Sequence, residues 1–152
     1  MVVVTLVHLN AHRSLSPNQL AQAALKVSLD RSESAQTYLK QVKRSKDLNP
    51  RERSALGDCL EEVNDSLDRV RNSIRELKNV DHVKGQEFVM HMSNVQTWVS
   101  SALTDENTCM DGFSGGEMKG RVQKMVRAHI IDVAHVTSNA LALINHFAEK
   151  HR

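Results

Sequence analysis

Three acidic residues, Glu61, Asp65 and Asp68, recur at steps of four and three, the spacing that lines side chains up along one face of a helix. They share their stretch with a run of Leu and Val. At 100° per residue the acids fall on the flank or the outside of that apolar seam. The nearest basic residues at helical spacing are Arg69, Arg71 and Arg75, so the beginning of the row stays acidic. Such a row is either a solvated face or a surface offered to a partner. Other candidates for chemistry are weaker. Asp132 and His135 are spaced i, i+3, but a di-metal bundle needs two Glu-x-x-His pairs and two further carboxylates, so the eight histidines read as surface residues and no metal is expected. Ser, His and Asp occur without a strand-turn-helix elbow to hold a nucleophile. "GFSGGEMKG" (112–120) lacks the Gly-Lys-Ser/Thr ending that cradles phosphate and reads as a flexible loop. No catalytic residue and no cofactor is expected: the chain does not read as an enzyme.

The elements that would position the acidic row are helices. Leu56, Leu60, Val63, Leu67, Val70, Ile74 and Leu77 alternate steps of four and three, a stripe no strand can use. Asn49 and Pro50 stand before it as a cap and a first helical residue. Phe88, Met92, Val95, Val99 and Ala102 form a second stripe, flanked by Val89 and Leu103. Val126, Ile130, Val133, Thr137, Ala140, Ile144 and Phe147 form a third. In the first third Leu20, Ala24, Val27, Ala35, Tyr38 and Val42 suit a helix beginning at Ser16-Pro17, with a kink or fray predicted at the polar "DRSES" of 30–34. Linkers at 43–50, 79–85 and 110–117 are short, which makes successive helices antiparallel. The expected fold is all-α, an up-down-up-down four-helix bundle over 16–150 behind an irregular segment, 1–15.

The composition agrees with this. A chain of 152 residues is one domain's worth, long enough to bury a core. Two prolines and six glycines are too few for the turns of an all-β fold, and 3% aromatics with abundant Ala, Leu, Lys, Glu and Ser favours long helices. A net charge of +2, with no aromatic interleaving of the basic residues, gives no reason to expect nucleic acid. No apolar run approaches the roughly 18 residues of a membrane span. "MVVVTLVHLNAHRSL" has no basic leader region and no cleavage site, so it is not a complete signal peptide. Cys59 and Cys109 lie far apart, with no CxxC and no paired histidine spacing for zinc. A free buried thiol suits a cytosolic chain and a single bridge a secreted one.

Three blocks go further. "ALGDCLEEVNDSLDRV" (55–70), "VQTWVSSALTDENTCMDGF" (95–113) and "VTSNALALIN" (136–145) resemble, in order and spacing, the signature blocks of the plant invertase and pectin methylesterase inhibitor family, and "SPNQLAQAALKVSL" (16–29) resembles its first bundle helix. The resemblance implies a secreted, non-catalytic bundle of the plant cell wall, with a disulfide from Cys59 to Cys109 joining the second and third helices. It also implies inhibition of a carbohydrate-active enzyme by covering its substrate cleft. In the pectin methylesterase branch, acids two, six and nine positions after the first bridge cysteine face the enzyme, which here are Glu61, Asp65 and Asp68. A contact Thr just before the second cysteine matches Thr108, and an acid two residues after it matches Asp111. A row of carboxylates suits a cleft built for polyanionic galacturonan, giving specificity and association rate more than affinity. Trp98 then reads as a core or near-core anchor of the third helix.

Members of the family usually begin with a helical hairpin carrying two further cysteines, which "MVVVTLVHLNAHRSL" does not resemble, so the chain is expected to be either a truncated form or a natural variant. An invertase inhibitor of this family is expected to insert a Pro-Lys-Phe segment, whereas "KNVDHVKGQ" (78–86) has neither proline nor phenylalanine. The pro-region of a larger pectin methylesterase is disfavoured by the end of the chain at Arg152. A small-ligand bundle would need polar residues in the seam, and the seam of the second helix shows none. The expectation is therefore a pectin methylesterase inhibitor, monomeric or weakly dimeric. Asn64-Asp65-Ser66 is its one glycosylation sequon, and it lies among the acids.

Overall fold

The structure, a computed structural model, describes residues 15–114 and 120–151. The described residues form four helices, α1 (Pro17–Lys43), α2 (Pro50–Leu77), α3 (Gly85–Asp111) and α4 (Arg121–Lys150). Each packs on the next and α1 closes on α4. Partners run in opposite directions along every pair: Cys59 meets Cys109 and Glu76 meets His91 between α2 and α3, while Ser28 meets Thr137 and Tyr38 meets His129 between α1 and α4. The fold is an all-α antiparallel bundle. The segment read as irregular, 1–15, lies outside the described residues except for Leu15, and so do 115–119 of the glycine-rich loop.

Local chemistry sets the helix starts. Ser16 and Asn49 each accept a hydrogen bond from the backbone N–H three residues on, and Gln19 and Glu52 reach back to the cap's own N–H. These reciprocal boxes, followed by Pro17 and Pro50, satisfy two otherwise orphaned donors at each start. At α3 no side chain caps the start; Gly85, with φ of +63°, makes the turn that only glycine adopts without strain.

Two apolar clusters fill the interior. One holds Leu25, Val70, Leu77, Phe88, Met92, Val95, Val99, Ile144 and Phe147. The other surrounds the bridge, with Leu39, Leu56, Val63, Leu67, Phe113, Val126 and Ile130. Trp98, at the middle of α3, is half-buried and belongs to neither, whereas Phe113, just past the end of the helix, is fully buried.

The helix does not fray at 30–34: α1 runs unbroken from Pro17 to Lys43. The polar run does not break the helix because its side chains divide between two environments. Ser32 is small enough to be fully buried, while Arg31 and Glu33 point outward to Asp132 of α4 and Arg71 of α2.

Candidate functional site

The row of acids on α2 is exposed at all three positions, Glu61, Asp65 and Asp68. Asp68 shares Arg71 with Glu33, at 3.6 Å and 3.3 Å. Glu61 and Asp65 have no ion pair among the described residues. Arg69, four residues on from Asp65 and in reach of it by helical spacing, instead places Nε 3.2 Å from Asp105 of α3. Competition from across the interface thus leaves Asp65 unpaired.

One turn closer to the bridge, the α2 acids turn toward α3. A shallow groove along the disulfide is lined by Asp58 and Glu62 of α2 and by Thr108 and Asp111 of α3, with Arg51 at its end. Thr108 and Asp111 are therefore brought together with Asp58 and Glu62. Glu61, Asp65 and Asp68 do not line the groove, and they continue the negative surface along the outside of α2. The sequence reading missed Asp58, Glu62 and Asp105. The first two were visible in principle, since 58, 62 and 65 repeat the four-and-three spacing; Asp105 depends on how α3 meets α2.

Burial and the crowding of like charges act together on the carboxyls beside this groove. Burial, with Asp105, Asp58, Glu61 and Asp65 added, pushes the Glu62 carboxyl up to about 7. Burial also raises Asp105, although the hydrogen bond and charge of Arg69 oppose it. One oxygen of Glu62 has no hydrogen-bond partner. At mildly acidic pH Glu62 is mostly protonated.

The Cys59–Cys109 bridge holds the groove's two walls with Cα atoms 4.6 Å apart. Both cysteines are 1% exposed. The one close group of potential metal ligands among the described residues is Cys59, Glu62 and Cys109. Its sulfurs are bonded to each other, and a metal-binding cysteine must be a thiolate. Asp132 accepts from Arg31 and His135 is exposed, so that pair builds no ligand set either.

Comparison with known proteins follows from this geometry. Residues 5–143 match the family model described as Plant invertase/pectin methylesterase inhibitor. The chain is 56% identical over 137 residues to the "21 kDa protein" of Daucus carota, covering 90% of this chain and 71% of that one. It is 47% identical over 137 residues to "Pectinesterase inhibitor 11" of Arabidopsis thaliana, covering 90% and 68%. In fold it resembles the crystal structure of a pectin methylesterase inhibitor from Arabidopsis thaliana, with a TM-score of 0.71, 19% identity, and coverage of 91% and 83%. No described helix is long and apolar enough to cross a membrane. An all-α bundle stapled between its second and third helices, matched by the family model over most of its length, belongs to the plant invertase/pectin methylesterase inhibitor family.

Proposed function

We propose that the protein inhibits a plant pectin methylesterase by laying the acidic face of α2 and the end of α3 over the enzyme's substrate cleft. As a member of an inhibitor family it acts on an enzyme rather than as one. The observation that carries the reading is the exposed, unpaired state of Glu61 and Asp65 beside a bridge that fixes Thr108 and Asp111. A carboxylate without an internal partner loses no ion pair when it docks, and a row of them resembles the polyanion that such a cleft accepts. Relatives named pectinesterase inhibitors support the choice of enzyme. Invertase is disfavoured as a partner because residues 78–86 lack the Pro-Lys-Phe segment. The bundle of 16–150 is the inhibitory unit, acting as a monomer or weak dimer. A bridge between two cysteines suits an oxidising compartment and so supports the reading of a secreted protein of the apoplast and cell wall.

Immobilised protein is expected to retain a pectin methylesterase, and no invertase, from plant cell-wall extract. The purified enzyme should then lose activity in proportion to added inhibitor. Retention of an invertase alone, or saturation of the enzyme without loss of activity, refutes the reading.

Asn64 supplies an independent check. It is exposed, and its Oδ1 accepts from Gln36 Nε2 on the α1 side of α2. It stands three residues from Glu61 and four from Asp68, so a glycan here would obstruct the docking face. Inhibitory protein isolated from plant tissue is therefore expected to carry unmodified Asn64 by peptide mass spectrometry. Full occupancy of the site in active inhibitor moves the binding face elsewhere on the bundle.

A further inference from the structure

Where the two halves of the core meet, each helix contributes one buried polar side chain: Ser28 of α1, Ser66 of α2, Glu106 of α3 and Thr137 of α4. None is more than 1% exposed. The layer lies at the boundary between the clusters, although on α2 Leu67 of the bridge cluster follows Ser66. On α3 it lies between Ala102 of one cluster and Cys109 of the other, and on α4 between Ala140 and Val133. Ser66 Oγ donates to Glu106 Oε2 at 2.6 Å, and Thr137 Oγ1 donates to the same oxygen at 3.2 Å. The Ser28 and Thr137 hydroxyls share a further hydrogen bond of 2.9 Å. Glu106 Oε1 is buried with no partner.

This arrangement suits a neutral acid. With the proton on Oε1, Oε2 becomes a carbonyl-like acceptor for two hydroxyls, and the unmet group is only a neutral O–H. With the proton gone, a full charge is buried beside two neutral donors that both sit on one oxygen, and burying an unpaired charge costs far more than burying a hydroxyl. No cation of the surrounding helices compensates. On α1, Lys26 is paired with Asp30 and Arg31 with Asp132, all exposed. On α2, Arg69 is committed to Asp105, Asp68 to Arg71, and Glu62 and Asp65 are themselves acidic. On α4 the titratable neighbour within one turn, His135, is exposed. Asp105, next to Glu106 on α3, is an acid and offers no positive charge.

We propose that this four-helix layer is a proton switch: protonated Glu106 closes the bundle centre, and loss of its proton puts an unpaired charge there and loosens the bundle. Burial holds the Glu106 carboxyl up at about 7 against 4.5 for an ordinary glutamate; the Ser66 and Thr137 hydroxyls pull it down and Asp105 pushes it further up. Between those two values the unfolded chain releases the proton while the folded chain keeps it. The stabilisation is complete below about 4.5 and is lost as pH rises through about 7. The inference concerns the bundle itself and does not rest on the choice of target enzyme.

Thermal unfolding of the full chain, followed by circular dichroism from pH 5 to 8 without any enzyme, tests it. Loss of the Glu106 proton alone is expected to lower the folding equilibrium constant by on the order of a hundredfold across the range, with Glu62 adding its own share. Glu106→Gln keeps an acceptor for Ser66 and Thr137 and should remove the Glu106 share of that slope. Glu62→Gln is the control for the other raised carboxyl and should leave the Glu106 share of the slope in place. A wild-type slope in Glu106→Gln, or its loss in Glu62→Gln alone, overturns the proposal. Should Glu106→Gln not fold, carboxyl ¹³C titration of the wild-type protein reads the same quantity. A midpoint near 7 that moves upward in Ser66→Ala supports the switch, because that variant removes a donor to the carboxylate. A near-7 midpoint that vanishes only in Glu62→Gln, or no midpoint above the ordinary glutamate range, overturns it.

Discussion

Replacing Cys59 and Cys109 together by alanine is expected to lower the stability of the bundle by about 4 kcal/mol in chemical denaturation. The cysteines are fifty positions apart, and releasing a cross-link of that span returns loop-closure freedom to the unfolded chain. Both sulfurs lie in the apolar cluster with Leu56, Val63 and Val126, so removing them also leaves unfilled volume there. Against a typical domain stability of roughly 5–15 kcal/mol, this loss is large enough to leave much of the chain unfolded at elevated temperature. The double variant is the informative one, because a single replacement leaves a free buried thiol and adds oxidative side reactions. A loss below about 1 kcal/mol would mean that the reduced chain retains the α2–α3 contact in its unfolded ensemble. The bridge also fixes the groove walls, so the same variant should weaken inhibition even at temperatures where it remains folded.

Asp65→Lys is expected to weaken inhibition of a pectin methylesterase at least tenfold, about 1.4 kcal/mol of binding, while stability moves by no more than about 0.5 kcal/mol. Asp65 is exposed and makes no ion pair among the described residues, so its replacement breaks no ion pair there. Its removal even relieves the repulsion that it exerts on Glu62 and Asp105. Toward an enzyme cleft that prefers anions, by contrast, a new cation is repulsive and desolvated at contact. Asp30→Lys on α1, an exposed residue away from this face, makes the same change of charge and serves as the control. Equal inhibition by wild-type and Asp65→Lys protein would return the acidic row to the status of an ordinary solvated surface.

Most of the architecture was written locally. The four-and-three spacing from Leu56 to Leu77 requires a helix whatever surrounds it, and Ser16-Pro17 and Asn49-Pro50 mark two starts because capping needs only residues within one turn. Glu61, Asp65 and Asp68 were recognisable as an exposed row for the same reason, since helical phase alone places them off the seam. The first third was misjudged at 30–34 because the partners that hold Arg31 and Glu33, Asp132 and Arg71, lie about a hundred and about forty residues away.

Glu106 marks the boundary more sharply. The stripe Val95, Val99, Ala102 continues by steps of four and three to Glu106 and Cys109, so its inward position was available from phase. Its meaning was not: one glutamate among many reads as solvated until Ser66, Thr137 and Ser28 are known to converge on it. The pairing of Cys59 with Cys109 followed from family resemblance and not from spacing, and the diversion of Arg69 from Asp65 to Asp105 from neither. The sequence by itself determined the helices, their caps, the exposed acids and the family. Only the tertiary structure decided which charges are paired, which carboxyl is buried and what faces it. Helical periodicity is a property of residues within a turn of one another, whereas burial and partner choice depend on side chains carried in from other helices.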